Sequence, residues 1–177
     1  CDLLPKLYPF INIEVIHTKK LGPLHAYNIL FTIARERKMD LYLTQTDVIH
    51  FRLFQKDWLQ ELHRIAQDPN VGLVGPIGSF GRSGLNYKDG VVWIGGWACY
   101  IPFRTNQLIG GYDENYEIGD GVDIDYSYNV IEHGLKLAQA DFWIQHHWQT
   151  PHVNEQRADL EQIKKRNGEY FRKKYKL

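Results

Sequence analysis

Between Gly95 and His147 the chain concentrates residues that can do acid–base or metal chemistry. Asp120, Asp123 and Asp125 stand on a loop flexed by Gly119 and Gly121, and the paired His146-His147 close the strand that follows. Carboxylates on such a loop, with imidazoles at a following strand end, can hold a divalent cation or exchange a proton with a reacting group. The same acids can instead cap the helix behind them, because Asp at a helix N-terminus accepts unpaired N–H groups and faces the positive end of the dipole. Asp47, in Gln45-Thr46-Asp47-Val48, follows a short strand. In open α/β sheets the C-terminal ends of strands are where ligands bind; a plain turn Asp is the alternative.

Several elements must position these groups. Phe10 to His17 alternates and is rich in β-branched residues, so it reads as a strand. Leu24 to Lys38 reads as a helix with Leu24, Tyr27, Phe31 and Ala34 on one face and a basic end. Asp40 to Thr44 is a short strand, Asp57 to Gln67 a helix capped by Asp57 and stopped at Asp68-Pro69-Asn70, and Val71 to Val74 a strand. Ile77 to Asp89 reads as a glycine- and serine-rich loop that could act as a flap, followed by a turn at Asp89-Gly90 and a strand over Val91 to Ile94. Trp97 to Ile101 is a strand, Gly110 to Glu114 a turn, Ile124 to His133 a helix and Leu135 to Ile144 a strand. Glu155 to Lys176 is a basic amphipathic helix with an interruption expected at Asn167-Gly168. Strands alternating with helices, then a hairpin-rich second half, indicate an α/β fold with a mixed sheet.

Composition narrows the function classes. Lys+Arg and Asp+Glu are equal at 21 each, and the 177 residues suit a single domain. The balance gives no global pull toward nucleic acid or an anionic membrane. The longest apolar run, Val91 to Phe103, is broken by Gly95-Gly96 and is too short for a transmembrane segment. Cys1 and Cys99 form no zinc or disulfide pattern, and Cys99 reads as a small buried hydrophobe.

Taken in order, these motifs resemble the family 2 glycosyltransferases, whose fold is GT-A. Leu21-Gly22 with His25-Ala26-Tyr27-Asn28 is similar to that family's glycine-then-helix start. Leu41 to Val48, then Asp57-Trp58-Leu59 and Asp68 to Pro76, is similar to its metal-motif strand, helix and next strand. Ala98-Cys99-Tyr100 with Ile109 to Glu114 is similar to its acceptor-side signature, and Gly119 to Asp123 with His146-His147 to its acidic motif and closing histidine. The resemblance implies a GT-A-like (Rossmann-like) mixed sheet flanked by helices. It implies transfer of a sugar from a nucleotide-sugar donor, a nucleotide diphosphate, to a hydroxyl of a glycan, lipid or protein acceptor, with inversion and with Mn²⁺ or Mg²⁺. It further implies Asp47, His146 and His147 as metal or diphosphate contacts and Asp120, then Asp123, as the base. Asn28, Gln45, Trp97, Asp113 and Glu114 would contact substrate, though an aromatic such as Trp97 or Tyr100 in a strand beside Cys99 is more often core. A cytoplasmic location, with peripheral membrane association as the alternative, goes with this reading.

The chain also departs from the pattern. Gln45-Thr46-Asp47 carries one carboxylate where the family has two, and Asp120-Gly121 stands where Glu-Asp is common. The two strands that begin the family's fold have no counterpart, so a longer protein or a partner chain would supply that half, or the N-terminal residues are rebuilt differently. The alternative function is therefore a catalytically degenerate relative that binds glycan or a partner protein.

Overall fold

The computed structural model of the chain describes residues 12, 14–17, 22–45, 48–50, 57–78, 86–87, 90–91, 93–146 and 158–177. Helix α1 (Pro23–Glu36) opens after Gly22, whose φ of 86° suits a residue without Cβ, and Pro occupies its first turn, where a missing N–H costs nothing. Strand β1 (Leu41–Thr44) follows, then β2 (Val48–His50), helix α2 (Trp58–Ala66) and β3 (Val71–Gly78). Two short strands, β4 (Asn86–Tyr87) and β5 (Gly90–Val91), pair as a separate ladder. Strand β6 (Ala98–Ile101) leads into α3 (Phe103–Ile109), a 3₁₀ turn (Glu117–Gly119), α4 (Val122–Glu132), β7 (Lys136–His146) and α5 (Leu160–Tyr175).

Five strands form one mixed sheet in the order β1-β6-β3-β7-β2. β3 and β7 are parallel, whereas β6 is antiparallel to both β1 and β3, and β2 is antiparallel to β7. The C-terminal ends of β1, β3 and β7 therefore share one edge with the N-terminal ends of β6 and β2. Successive side chains of a strand face opposite sides. Leu43, Cys99 and Ile101 accordingly pack with Phe31 of α1 and with Val122, Tyr126 and Val130 of α4. Ala98 and Tyr100 pack on the other face with Leu62 and Ala66 of α2. Full burial of side chains such as Phe31, Leu43 and Ile101 contributes about 2 kcal/mol each.

Arg104 ties α3 to the turn that ends α2. Its Nη2 donates to the carbonyls of Ala66, Asp68 and Val71 at 2.6–2.7 Å. The Asp68 carboxylate accepts the Asn70 N–H at 2.9 Å, which closes the expected Asp-Pro-Asn stop.

Several expectations need correction. Asn12 and Glu14 to His17 lie in neither strand nor helix; Glu14 instead pairs with Arg37 at 2.7 Å, so alternation there reports no sheet pairing. Trp93 and Ile94 are not in a strand, because the backbone N–H of Ile94 donates to the Ser127 hydroxyl at 3.0 Å rather than to a ladder. Ile77 and Gly78 belong to β3, and Asn86–Tyr87 to β4, while 79–85 and 88–89 lie outside the described residues. Helix α3 was not expected: it has only seven residues, set between Pro102 and Gly110, which leaves too few turns for a periodic pattern. Helix α5 runs unbroken through Asn167-Gly168 because Asn167 turns inward and spends its amide on another segment. Asp57 stands at the N-cap of α2 but its side chain makes no capping bond.

Candidate active site

The acidic loop is assembled at the shared strand edge. Gln45 leaves β1 there, and its N–H donates to the carbonyl of Trp97 at 3.1 Å, which holds the β1 exit beside the β6 entry. One residue earlier, the Gly96 N–H donates to Asp123 Oδ2 at 3.1 Å. A Cβ at Gly96 would stand 3.2 Å from Asp123 Cβ and 3.3 Å from the Tyr112 hydroxyl, so a glycine lets this carboxylate approach the backbone. Asp123 thus joins the loop to the sheet edge through one carboxylate.

That carboxylate is unusual electrostatically. Burial pushes its acidity down, raising the pKa above the ordinary carboxylate value; the N–H groups of Gly96, Ile124 and Asp123 itself oppose this, and the Asp120 charge adds to the rise. Asp120 is half-exposed, and its carboxylate makes no hydrogen bond among the described residues. The two neighbouring acids stand in different environments, one bonded to backbone N–H groups and one open.

The loop backbone is wound tightly. Ile118, Gly119 and Gly121 have φ of 53°, 78° and 82°. Gly121 is the N-cap of α4 and provides no side-chain cap, while Asp123 and Asp125 lie in the first turn, where the helix dipole favours negative charge. Neither Asp120 nor Asp123 occupies the N-cap position itself. Asp123 Oδ1 does accept the next N–H, that of Ile124, at 2.9 Å.

The turn over Gly110 to Asn115 is held by α1. Asn28 accepts the Tyr112 N–H at 2.7 Å and donates to the Tyr112 carbonyl at 2.9 Å and to Glu114 Oε1 at 2.8 Å. A Cβ at Gly111 would overlap the Asn28 amide. Asp113 accepts from Lys174 and Tyr170 of α5 at 2.9 Å and from Asn115 in its own turn at 2.8 Å. Burial would raise the Asp113 carboxyl, but the bonds from Lys174, Asn115 and Tyr170 outweigh it and hold the pKa at about 2. Trp97 is buried among Leu62, Ala66, Val71 and Val74.

Asp47 and His147 lie outside the described residues. His146 enters as the last residue of β7, its backbone in register with Val48. β2, which sequence patterns did not indicate, therefore carries the segment after Asp47 across to the histidine end of β7. Among the described residues no group of three or more His, Cys, Asp or Glu side chains is arranged to hold a metal ion. Cys99 is buried, and desolvation pushes its thiol up to about 12, which removes it as a nucleophile at neutral pH.

Residues that sequence reasoning passed over turn out to hold the loop. Asn167 and Arg166 of α5 reach Glu117, and Asn167 reaches Asp120. Lys174 lies 2.9 Å from both oxygens of buried Asp125, which also accepts from the Tyr116 hydroxyl at 2.9 Å. The basic run of α5 reads as a solvated face, and only the inward positions of a helical wheel, among them Asn167, Tyr170 and Lys174, could have hinted otherwise. On the opposite face of the sheet, a cleft of about 650 Å³ is lined by Tyr42, Trp58, Leu59, Gln60 and His63, with Tyr100 and Asp40. There the Tyr100 hydroxyl donates to Asp40 at 2.5 Å and lies 2.8 Å from His63 Nδ1.

The fold is a mixed α/β sheet flanked by helices, and it is shared with a glycosyltransferase. The chain is similar in structure to the mannosyltransferase PcManGT from Pyrobaculum calidifontis in complex with GDP-Man and Mn2+, with a TM-score of 0.62 and 14% identity. The likeness covers 85% of this chain and 44% of that one, so the chain spans less than half the length of that mannosyltransferase. No protein-family model matches the chain, and no curated protein matches it. Among the described residues no helix is long and apolar enough to cross a membrane.

Proposed function

We propose that the chain carries the acceptor side and part of the metal side of a glycosyltransferase that uses a nucleotide-diphosphate sugar. One observation carries the reading: the carboxylate of Asp123 is fixed by the Gly96 N–H at the edge where Gln45 leaves β1, with Asp120 on the wound turn beside it. A carboxylate at that edge is placed to take the proton of an attacking acceptor hydroxyl. Asp120 is proposed as the base, because its carboxylate is open while that of Asp123 is spent on backbone N–H groups. Asp123 then serves to hold the loop against the entry to β6. Inversion at the sugar follows if the hydroxyl attacks opposite the departing diphosphate.

Asp47, His146 and His147 are proposed as the groups that would hold Mn²⁺ or Mg²⁺, an ion that neutralises charge on a diphosphate leaving group when bound. Gln45 follows β1 at the sheet edge where β7 also ends. Asn28, Asp113 and Glu114 are proposed to shape the acceptor side through the turn they build rather than by direct contact.

The second reading, a domain that binds glycan or a partner protein without catalysis, has its own support. Asn28 and Asp113 spend their polar atoms on internal bonds, and Gln45 stands where a second acid would strengthen a metal site. Thermal unfolding with UDP, GDP, CMP and dTDP, each with and without Mn²⁺, separates the two. A ligand that binds the native state alone stabilises it by about 2.7 kcal/mol at a hundredfold excess over its dissociation constant. The expected result is a rise with one nucleotide that requires metal and disappears in Asp47→Ala. No rise with any nucleotide would overturn the donor-site reading in favour of the second.

A further inference from the structure

Asn167 stands at the centre of an arrangement that secondary structure alone does not require. It lies on α5, is 5% exposed, and directs its amide away from its own helix. Its Oδ1 accepts the Glu117 N–H at 3.1 Å, and its Nδ2 donates to the carbonyls of Glu117 at 3.1 Å and Asp120 at 3.0 Å. An amide offers one acceptor oxygen and two N–H donors. All three capacities are spent on the backbone of one four-residue loop segment, Glu117 to Asp120, and none on another side chain. Arg166, one residue earlier, grips the Glu117 carboxylate through Nε and Nη2.

The loop needs such a grip. Ile118, inside the 3₁₀ turn Glu117–Gly119 and just before the left-handed Gly121, sits at φ 53° without the freedom of glycine. A β-branched residue in that region costs on the order of 1–2 kcal/mol and persists only where its surroundings hold it. The two residues that flank this strained stretch, Glu117 and Asp120, are the ones whose backbone groups Asn167 binds. Further down α5, Lys174 pairs with Asp125 just beyond the loop, so the helix spans it from both sides.

We infer that Asn167 is a positioning residue for Asp120, acting on its backbone rather than on its carboxylate, and that α5 is a working part of the site. This rests on the proposed role of Asp120 as the base; the loop-holding half of the inference stands without it. Asn167→Asp is the informative variant. It keeps an acceptor for the Glu117 N–H but replaces both donors with an oxygen that repels two carbonyls. Asn167→Ala removes all three bonds. Lys164→Ala, on the exposed face of α5, is the control.

The decisive measurement is backbone amide hydrogen exchange on the full chain. In Asn167→Asp, exchange at residues 117–123 is expected to accelerate at least tenfold, while β3 and β6 change no more than in the control. Unchanged exchange in the loop would overturn the inference. So would an equal acceleration across the whole chain, which is what a purely structural residue produces. If the wild type transfers sugar, the same variant is expected to lose tenfold or more in kcat with donor KM held, since misplacing a catalytic group raises the barrier without weakening binding. A wild type without transfer activity, combined with the local exchange effect, would sink the base assignment and leave the positioning role intact.

Discussion

Lys174 Nζ sits 2.9 Å from both carboxylate oxygens of Asp125 and 2.9 Å from Asp113 Oδ2, so one ammonium joins the helix behind the acidic loop to the turn in front of it. The Asp125 side chain is 4% exposed and that of Lys174 27%. Removing one partner of such a pair leaves a charge without compensation in a poorly solvated place. Lys174→Met is therefore expected to cost about 3 kcal/mol of unfolding free energy, read from urea denaturation. A loss below about 1 kcal/mol would mean that Asp125 is adequately solvated without Lys174.

Acid sensitivity follows from Asp113. Its pKa in the fold is about 2, below the ordinary value, so its contribution to stability is present above the unfolded pKa near 4 and is lost as pH falls toward 2. The contribution is about 2 kcal/mol at neutral pH. Lys174 shifts upward despite its burial, through Asp113 and Asp125, so its contribution holds below its unfolded value and fades only in strong base. Stability measured against pH is expected to fall below pH 4, and Asp113→Asn is expected to flatten that fall.

Asp123 behaves in the opposite sense. Its folded pKa is raised, chiefly by burial, so the stability it contributes is full below the unfolded pKa and is lost as pH rises through the folded one. Carbon-detected NMR titration is expected to place Asp123 above Asp113 and above the ordinary value for an Asp side chain. Asp120→Asn removes a like charge and is expected to lower the Asp123 pKa. An Asp123 value unmoved by that substitution would separate the two acids electrostatically. If Asp120 is the base, Asp120→Asn is also expected to reduce transfer by 10²-fold or more, the usual scale for a proton-transfer group.

Gly121 tests the wound loop from the backbone. Its φ of 82° and ψ of 2° are left-handed, and a Cβ there meets nothing closer than Tyr116 Cε1 at 3.8 Å. The cost of Gly121→Ala is thus conformational, about 1 kcal/mol, and Gly121→Asn is expected to cost less because Asn tolerates this region. Equal losses for both in thermal melts would point to crowding instead.

On the other face, Tyr100 bridges Asp40 and His63, and Asp40 also accepts the Phe103 N–H at 2.7 Å where α3 begins. Tyr100→Phe keeps the ring and deletes the bridge. The expected loss is about 1–2 kcal/mol, with no effect on the exchange rates of the acidic loop.

The sequence made the sheet-facing pattern legible wherever burial imposes a period. Phe31 and Ala34 in α1, and Leu62 and Ala66 in α2, repeat at helical spacing and are buried. The acidic loop and its glycines were also visible, because left-handed turns leave a compositional trace. What could not be read were bonds between distant segments: Asn167 with Asp120, Lys174 with Asp125, Tyr100 with Asp40. Each pairs ordinary surface residue types whose meeting depends on the tertiary fold. Asn12 and Glu14 to His17 misled for the converse reason, since alternation reports a half-buried strand only when a neighbouring strand is there to pair.

The grip of α5 on the acidic loop has a consequence for the order of events in folding. The loop's conformation is completed by a helix some fifty residues further along the chain, whereas β3 and β6 find each other across a shorter stretch. Closing the longer loop carries the larger entropic cost, so the β3–β6 pairing is expected to form before α5 docks on the acidic turn. The converse holds in the native state. Detachment of α5 can release the turn while the sheet stays folded, which makes this segment the natural first step of partial unfolding.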